Sequence, residues 1–164
     1  IPHLLREKGD LIAKAKTGTG KTAAFALPII EQLDESLHHI QALVLVPTRE
    51  LAIQVATEFS SFVDGGKFKA VAIYGGQSIS EQIRALKGKV SVVIGTPGRI
   101  IDHLERKTLD ISKISFAVLD EADEMLNMGF VEDMETILAE SNPEKKTLLF
   151  SATMPDHILK IAKR

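Results

Sequence analysis

Short β-branched runs alternate along this chain with longer amphipathic stretches. DLIAKA (10–15), ALVLV (42–46), AVAIY (70–74), SVVIG (91–95), FAVLD (116–120) and TLLFS (147–151) predict strands. Between them GKTAAFALPIIEQL, TRELAIQVATEFSSFV, SEQIRALK and GRIIDHLE space their apolar residues by three and four, as helices with one buried face do. PDHILKIAK, after the last strand, predicts another helix. The strand runs are apolar almost throughout, which suits strands covered on both faces. A βα repeat of this kind predicts an α/β fold with a mostly parallel sheet, helices on both faces and right-handed crossovers.

Ligands of such sheets bind beyond the carboxyl ends of the strands. The segments that follow the predicted strands are therefore the ones to read for chemistry. AKTGTGKT follows the first, PTREL the second, YGGQ the third, GTPGR the fourth, DEAD the fifth and SAT the sixth. Six polar or glycine-bearing junctions on one rim exceed what turns alone require.

Composition narrows the picture further. With 164 residues, 45% hydrophobic and 26% charged, the chain suits one domain with a buried core. Its 20 Lys and Arg against 22 Asp and Glu leave a net charge of −2, so any contact with nucleic acid is local rather than made by a broad basic field. Cysteine is absent, which excludes disulfides and thiolate chemistry. No apolar run approaches the roughly 18 residues of a membrane span. A soluble, cytoplasmic protein without a membrane partner is the expectation. The opening IPHLLREKGD has no initiator methionine and no signal segment, and reads like a piece of something longer.

AKTGTGKT departs from the phosphate-loop pattern G-x-x-x-x-G-K-[ST] only at Ala15. Gly18 and Gly20 permit backbone conformations in which successive N–H groups converge on phosphate oxygens, and a helix opening near Gly20 adds its positive end. Ala15, Lys16, Thr17, Gly18, Thr19, Gly20, Lys21 and Thr22 thus form a candidate nucleotide cradle. Lys21 supplies a mobile charge for the outer phosphates and Thr22 a hydroxyl for magnesium. A glycine-rich strand-to-helix turn is the plainer reading of the same residues. Asp120, at the end of an apolar strand, stands where magnesium on a bound nucleotide needs an anionic partner. Glu121 is a candidate to orient or deprotonate water, and the pair favours hydrolysis over transfer to a small acceptor. The acids also suit a solvated helix N-terminus.

Together these motifs resemble, over essentially the whole chain, the first RecA-like domain of a DEAD-box ATP-dependent RNA helicase. AKTGTGKT, PTRELA (47–52), the Gly75-Gly76 doublet, TPGR (96–99), DEAD (120–123), MLNMGF (125–130) and SAT (151–153) occur in that family's order, and Ala15 is itself usual there. The resemblance implies a single RecA-like P-loop domain using ATP and Mg2+. Within it, Lys21, Asp120 and Glu121 would serve catalysis, and Thr22 and Asp120 would hold the metal. It implies that Asp123 hydrogen-bonds toward Ser151 and Thr153, coupling the nucleotide site to strand separation. It also implies that Thr48, Arg49, Gly75, Gly76, Thr96, Gly98 and Arg99 touch the sugar-phosphate backbone of RNA. Capping, surface ion pairs and plain turns account for these same residues one at a time.

The family further implies a glutamine-containing adenine-recognising segment upstream and a second, C-terminal RecA-like domain with arginines that complete the ATP site. Neither is found in residues 1–164. A monomeric fragment, nearly inactive alone, is the expectation. An ATP-dependent RNA clamp, a DNA translocase and a P-loop kinase remain alternative readings of the sequence.

Overall fold

A computed structural model describes residues 9–15 and 21–163. In chain order the elements are β1 (Leu11–Lys14), α1 (Lys21–Gln32), β2 (Ala42–Leu45), α2 (Arg49–Ser61), β3 (Ala70–Ile73), α3 (Ile79–Leu86) and β4 (Val92–Gly95). Then come α4 (Pro97–Glu105), β5 (Phe116–Leu119), α5 (Ala122–Asn127), α6 (Val131–Glu140), β6 (Lys146–Ser151) and α7 (Asp156–Ala162). The strands form one sheet in the order β1-β6-β5-β2-β4-β3, and every ladder is parallel.

Burial explains the order. The central strands β2, β4 and β5 are buried at every position, as their unbroken apolar runs require. Successive side chains point to opposite faces, so β2 feeds two separate cores. Leu43 and Leu45 pack with Ile73, Val93, Ile100, Leu119, Met125, Ile137 and Ile158 beneath α4 to α7. Ala42, Val44 and Val46 pack with Phe25, Ile29, Val55, Phe59 and Phe150 beneath α1 and α2. Phe25 anchors that second core, its ring centroid 6.1 Å from Phe59 and 5.4 Å from Phe150. Each such side chain contributes roughly 1.5–3 kcal/mol on leaving water.

The edge strands differ from the expectation of cover on both faces. In β1, Ile12 is 41% exposed and Lys14 is also exposed, while Leu11 and Ala13 turn inward. β3 alternates too, with Val71 and Ile73 buried and Ala70 and Ala72 less so. An edge strand has a neighbour on one side only, and helices do not fully blanket it. The stretch Val131–Glu140, for which the sequence reading names no element, is a helix that buries Met134, Ile137 and Leu138. It starts after Gly129, whose φ of 87° turns the chain out of α5.

The turn from β4 into α4 is tighter than the motif suggests. A Cβ on Gly95 would lie 2.5 Å from Cδ1 of Ile100 and 2.9 Å from the carbonyl oxygen of Ile73. Only glycine fits there, and its absence of a side chain lets α4 start directly at the sheet's end.

Candidate nucleotide and nucleic-acid site

Strand order brings the chemistry together at the carboxyl rim. β6 lies between β1 and β5, so its last residue, Ser151, stands between the base of the phosphate loop and the acidic turn. The Ala15 amide donates to the Ser151 carbonyl at 3.0 Å, and the Asp123 amide donates to the Ser151 hydroxyl at 3.1 Å. Lys16, Thr17, Gly18, Thr19 and Gly20 lie outside the described residues. Lys21 and Thr22 open α1, and Thr22 is buried there.

Nζ of Lys21 lies 2.7 Å from Oδ1 of Asp120. Asp120 is fully buried at the end of β5, where burial pushes its carboxyl up and Lys21 pulls it back only partly. Neither carboxylate oxygen has a well-formed hydrogen-bond partner among the described residues; the Lys21 ammonium and the nearby Glu121 amide offset its charge in part. Buried carboxylates are normally satisfied, so these oxygens have coordinating capacity to spare. That suits a divalent cation held by one or two protein groups with nucleotide phosphates and water filling the remaining positions. Among the described residues no three His, Cys, Asp or Glu side chains cluster to hold a metal by themselves.

Glu121 occupies the left-handed region at φ 53°, ψ 49°. For a non-glycine residue this costs on the order of 1–2 kcal/mol, and it lets the chain reverse from β5 into α5 within a single residue. Burial raises the Glu121 carboxyl, Lys21 opposes that, and the neighbouring acids reinforce it. Asp123 behaves oppositely. Burial would lift it, but hydrogen bonds outweigh that and leave it below the usual range. Its Oδ2 accepts from both the amide and the hydroxyl of Thr153, each at 3.1 Å, and Oδ1 accepts from the Glu124 amide at 3.1 Å.

Arg49, Gly75, Gly76 and Arg99 come together farther along the rim. Thr48 caps α2, its hydroxyl accepting from the Leu51 amide at 3.2 Å; both Thr48 and Arg49 are exposed. The Arg49 guanidinium sits over the Tyr74 ring, 5.3 Å from its centroid, and a Cβ on Gly76 would lie 3.6 Å from Nη1 of Arg49. Gly76 has φ 89°, so the doublet's turn requires glycine at its second position. Thr96 precedes α4 without capping it, Pro97 takes the first turn, and exposed Gly98 leaves its amide at the helix N-terminus, where anions bind well. Arg99 Nη1 donates to the Gln77 carbonyl at 3.0 Å and to Oε1 of Gln82 at 2.9 Å.

Sequence reading missed Tyr74, Gln82 and His103. The signal was available for two of them. Gln82 and His103 are polar residues on the apolar stripes of SEQIRALK and GRIIDHLE, and both are buried, at 2% and 0% exposure. Met125 is core, whereas Met128 is 51% exposed.

The model of the DEAD/DEAH box helicase family matches residues 1–161. The ATP-dependent RNA helicase CshA of Listeria monocytogenes is 55% identical over all 164 residues, which make up 31% of that protein. The ATP-dependent RNA helicase DeaD of Haemophilus influenzae is 55% identical over 165 aligned residues, 27% of its length. The chain therefore spans about a third or less of these relatives. Among solved structures, a DEAD box protein from Methanococcus jannaschii superposes with a TM-score of 0.94 at 51% identity, over 99% of this chain and 44% of that one. A hypothetical ATP-dependent RNA helicase from Sulfolobus tokodaii gives 0.90 at 39% identity, over 99% and 47%. With the six-stranded parallel sheet and the motifs on its carboxyl rim, these matches identify the chain as a member of the DEAD/DEAH box helicase family.

Proposed function

We propose that this chain is the ATP-binding half of an ATP-dependent RNA helicase, working with a second RecA-like domain on the same polypeptide. The observation that carries the reading is the buried Asp120 carboxylate facing Lys21 at 2.7 Å, neither of whose oxygens has a well-formed hydrogen bond among the described residues. A charge so costly to bury is retained where a cationic ligand uses it.

Magnesium-bound ATP would supply the scissile phosphoanhydride and a divalent charge to offset the negative charge that develops on it. Lys21, which faces Asp120 in this structure, would contact the outer phosphates, and Thr22 with Asp120 would hold the metal. Glu121, its carboxyl raised by burial, orients the attacking water and takes its proton. Asp123 remains ionised and keeps Thr153 in place. Ser151, which accepts from both the Ala15 amide and the Asp123 amide, joins the base of the phosphate loop to the acidic turn.

Arg49, Arg99 and the exposed amides of Gly75, Gly76 and Gly98 bind the sugar-phosphate backbone of single-stranded RNA, with Thr48 and Thr96 hydroxyls beside them. Such contacts position without reading sequence, as suits a chain of net charge −2. The reading implies work in the cytoplasm. No helix among the described residues is long and apolar enough to cross a membrane.

Steady-state hydrolysis tests the proposal. A polypeptide carrying this chain followed by a second RecA-like domain is expected to turn over ATP faster when single-stranded RNA is added, and this chain alone to show negligible turnover. Hydrolysis indifferent to RNA in the longer polypeptide contradicts it.

A further inference from the structure

The geometry points to Gln82 as a positioning residue that fixes Arg99 and the Gly75-Gly76 turn for contact with the RNA backbone, with His103 setting the orientation of the Gln82 carboxamide. This rests on the RNA-binding reading of Arg99 above.

Gln82 is 2% exposed and uses its whole hydrogen-bonding capacity. Its Nε2 donates to the Tyr74 carbonyl at 2.8 Å and to Oε1 of Gln77 at 3.0 Å. Its Oε1 accepts from Nη1 of Arg99 at 2.9 Å and meets Nε2 of His103 at 2.9 Å. Two of these contacts leave no choice of amide orientation, because a backbone carbonyl only accepts and a guanidinium only donates. Nε2 of His103 therefore carries the ring proton. In the neutral ring, Nδ1 then accepts from the Thr108 hydroxyl 2.7 Å away. The imidazole is fully buried, so this tautomer is held by packing as well as by hydrogen bonds.

The consequences reach both halves of the candidate RNA surface. Tyr74 and Gln77 flank Gly75 and Gly76, so one carboxamide holds the backbone at one end of that turn and the Gln77 side chain at the other. The Tyr74 ring carries the Arg49 guanidinium. Arg99, besides its bond to Gln82, donates to the Gln77 carbonyl, closing the network. A fully satisfied network centred on a buried carboxamide and imidazole holds one geometry, whereas a partly satisfied one does not. Arginines pre-organised in this way lose less entropy when a phosphate arrives.

The test compares Arg99→Ala, Gln82→Leu and the double variant of this chain for binding a fluorescent ten-nucleotide single-stranded RNA at low salt, with Mg·ADP affinity as a control. We expect Gln82→Leu to weaken RNA binding by about the same factor as Arg99→Ala, roughly 5- to 20-fold. The double variant should be weaker than Arg99→Ala by clearly less than the full factor of Gln82→Leu, because Gln82 acts partly through Arg99 and partly through the glycine turn. Mg·ADP affinity should be unchanged in all three. If Arg99→Ala weakens binding and Gln82→Leu does not, or if the two losses multiply, the positioning role is wrong and the RNA reading stands. If Arg99→Ala itself leaves RNA affinity unchanged, both are wrong. Should Gln82→Leu lose its native circular dichroism, His103→Leu and His103→Gln decide the matter. The carboxamide of the second restores a donor to Oε1 of Gln82 and is expected to retain RNA affinity that the first loses; equal behaviour of the two overturns the proposal.

Discussion

Lys21 and Asp120 face each other at 2.7 Å across the carboxyl rim, one at the start of α1 and the other at the end of β5, with the aspartate side chain 1% exposed. Removing one partner of such a pair leaves a buried, uncompensated charge, which costs more than removing both. Lys21→Ala should lower unfolding free energy by about 1–3 kcal/mol in urea titrations at pH 7, below the full value for a buried pair because Asp120 can take up a proton. Adding Asp120→Asn should recover most of the loss. The carboxyl is already raised, so the Lys21→Ala penalty should shrink as pH falls and Asp120 is protonated. Equal stability of single and double variants at pH 7 would show that the pair carries no such coupling.

Asp123 titrates in the opposite sense. Its carboxyl lies below its ordinary value of 3.8, so it contributes stability above that pH and loses it as pH falls through the lowered folded value. Thr153→Val removes the hydroxyl that donates to Oδ2 while sparing the amide. The acid-unfolding midpoint should therefore move to higher pH, with a loss at neutral pH of about 1 kcal/mol, small because Thr153 is exposed. An unchanged acid midpoint would argue that the hydroxyl contributes nothing.

His103 gives a third pH dependence. Burial first, and the charge of Arg99 second, hold its imidazole below the ordinary 6.5. In the unfolded chain it gains a proton near 6.5, whereas the folded protein resists until lower pH. Stability is thus lost as pH falls below 6.5, down to the lowered folded value. His103→Gln should flatten the stability profile across that window, as read by urea midpoints at pH 7.5 and 5.5. A profile as steep as that of the wild type would contradict a buried neutral ring.

At the β4–α4 turn, Gly95→Ala should destabilise by about 1–3 kcal/mol, because the added methyl meets Cδ1 of Ile100 and the Ile73 carbonyl. Ile100→Val in the same chain should recover only part of this, since the backbone contact at 2.9 Å remains. Thermal melting checks both, and a neutral Gly95→Ala would mean that α4 can shift away from the sheet.

Much of this was legible in the sequence because the parallel sheet imposes such a simple rule. The observed strands fall within the apolar runs or one residue outside them, as with Lys146 before TLLFS. The six junction motifs follow them onto one rim. Less legible were features set by neighbours distant in the chain. Edge position in the sheet exposes Ile12, which its own segment does not reveal. Gln82 finds its partners eight residues back at Tyr74 and 17 and 21 residues on, at Arg99 and His103. The left-handed backbone of Glu121 could not be read from a glutamate, since that conformation ordinarily favours glycine. The helix Val131–Glu140 does carry apolar residues at helical spacing, at Val131, Met134, Ile137 and Leu138, and was open to detection.

Phosphate recognition by Lys21, with a cation held at Asp120, is what the proposed ATP-binding function requires of this chain. Calorimetric titration of ADP into this chain, with and without magnesium, is the direct test, run on the wild type, Lys21→Ala and Asp120→Asn. The wild type should bind ADP, and magnesium should tighten that binding. Lys21→Ala should abolish binding, and Asp120→Asn should bind ADP without the magnesium effect. Wild-type affinity in Lys21→Ala, or an undiminished magnesium effect in Asp120→Asn, would contradict it.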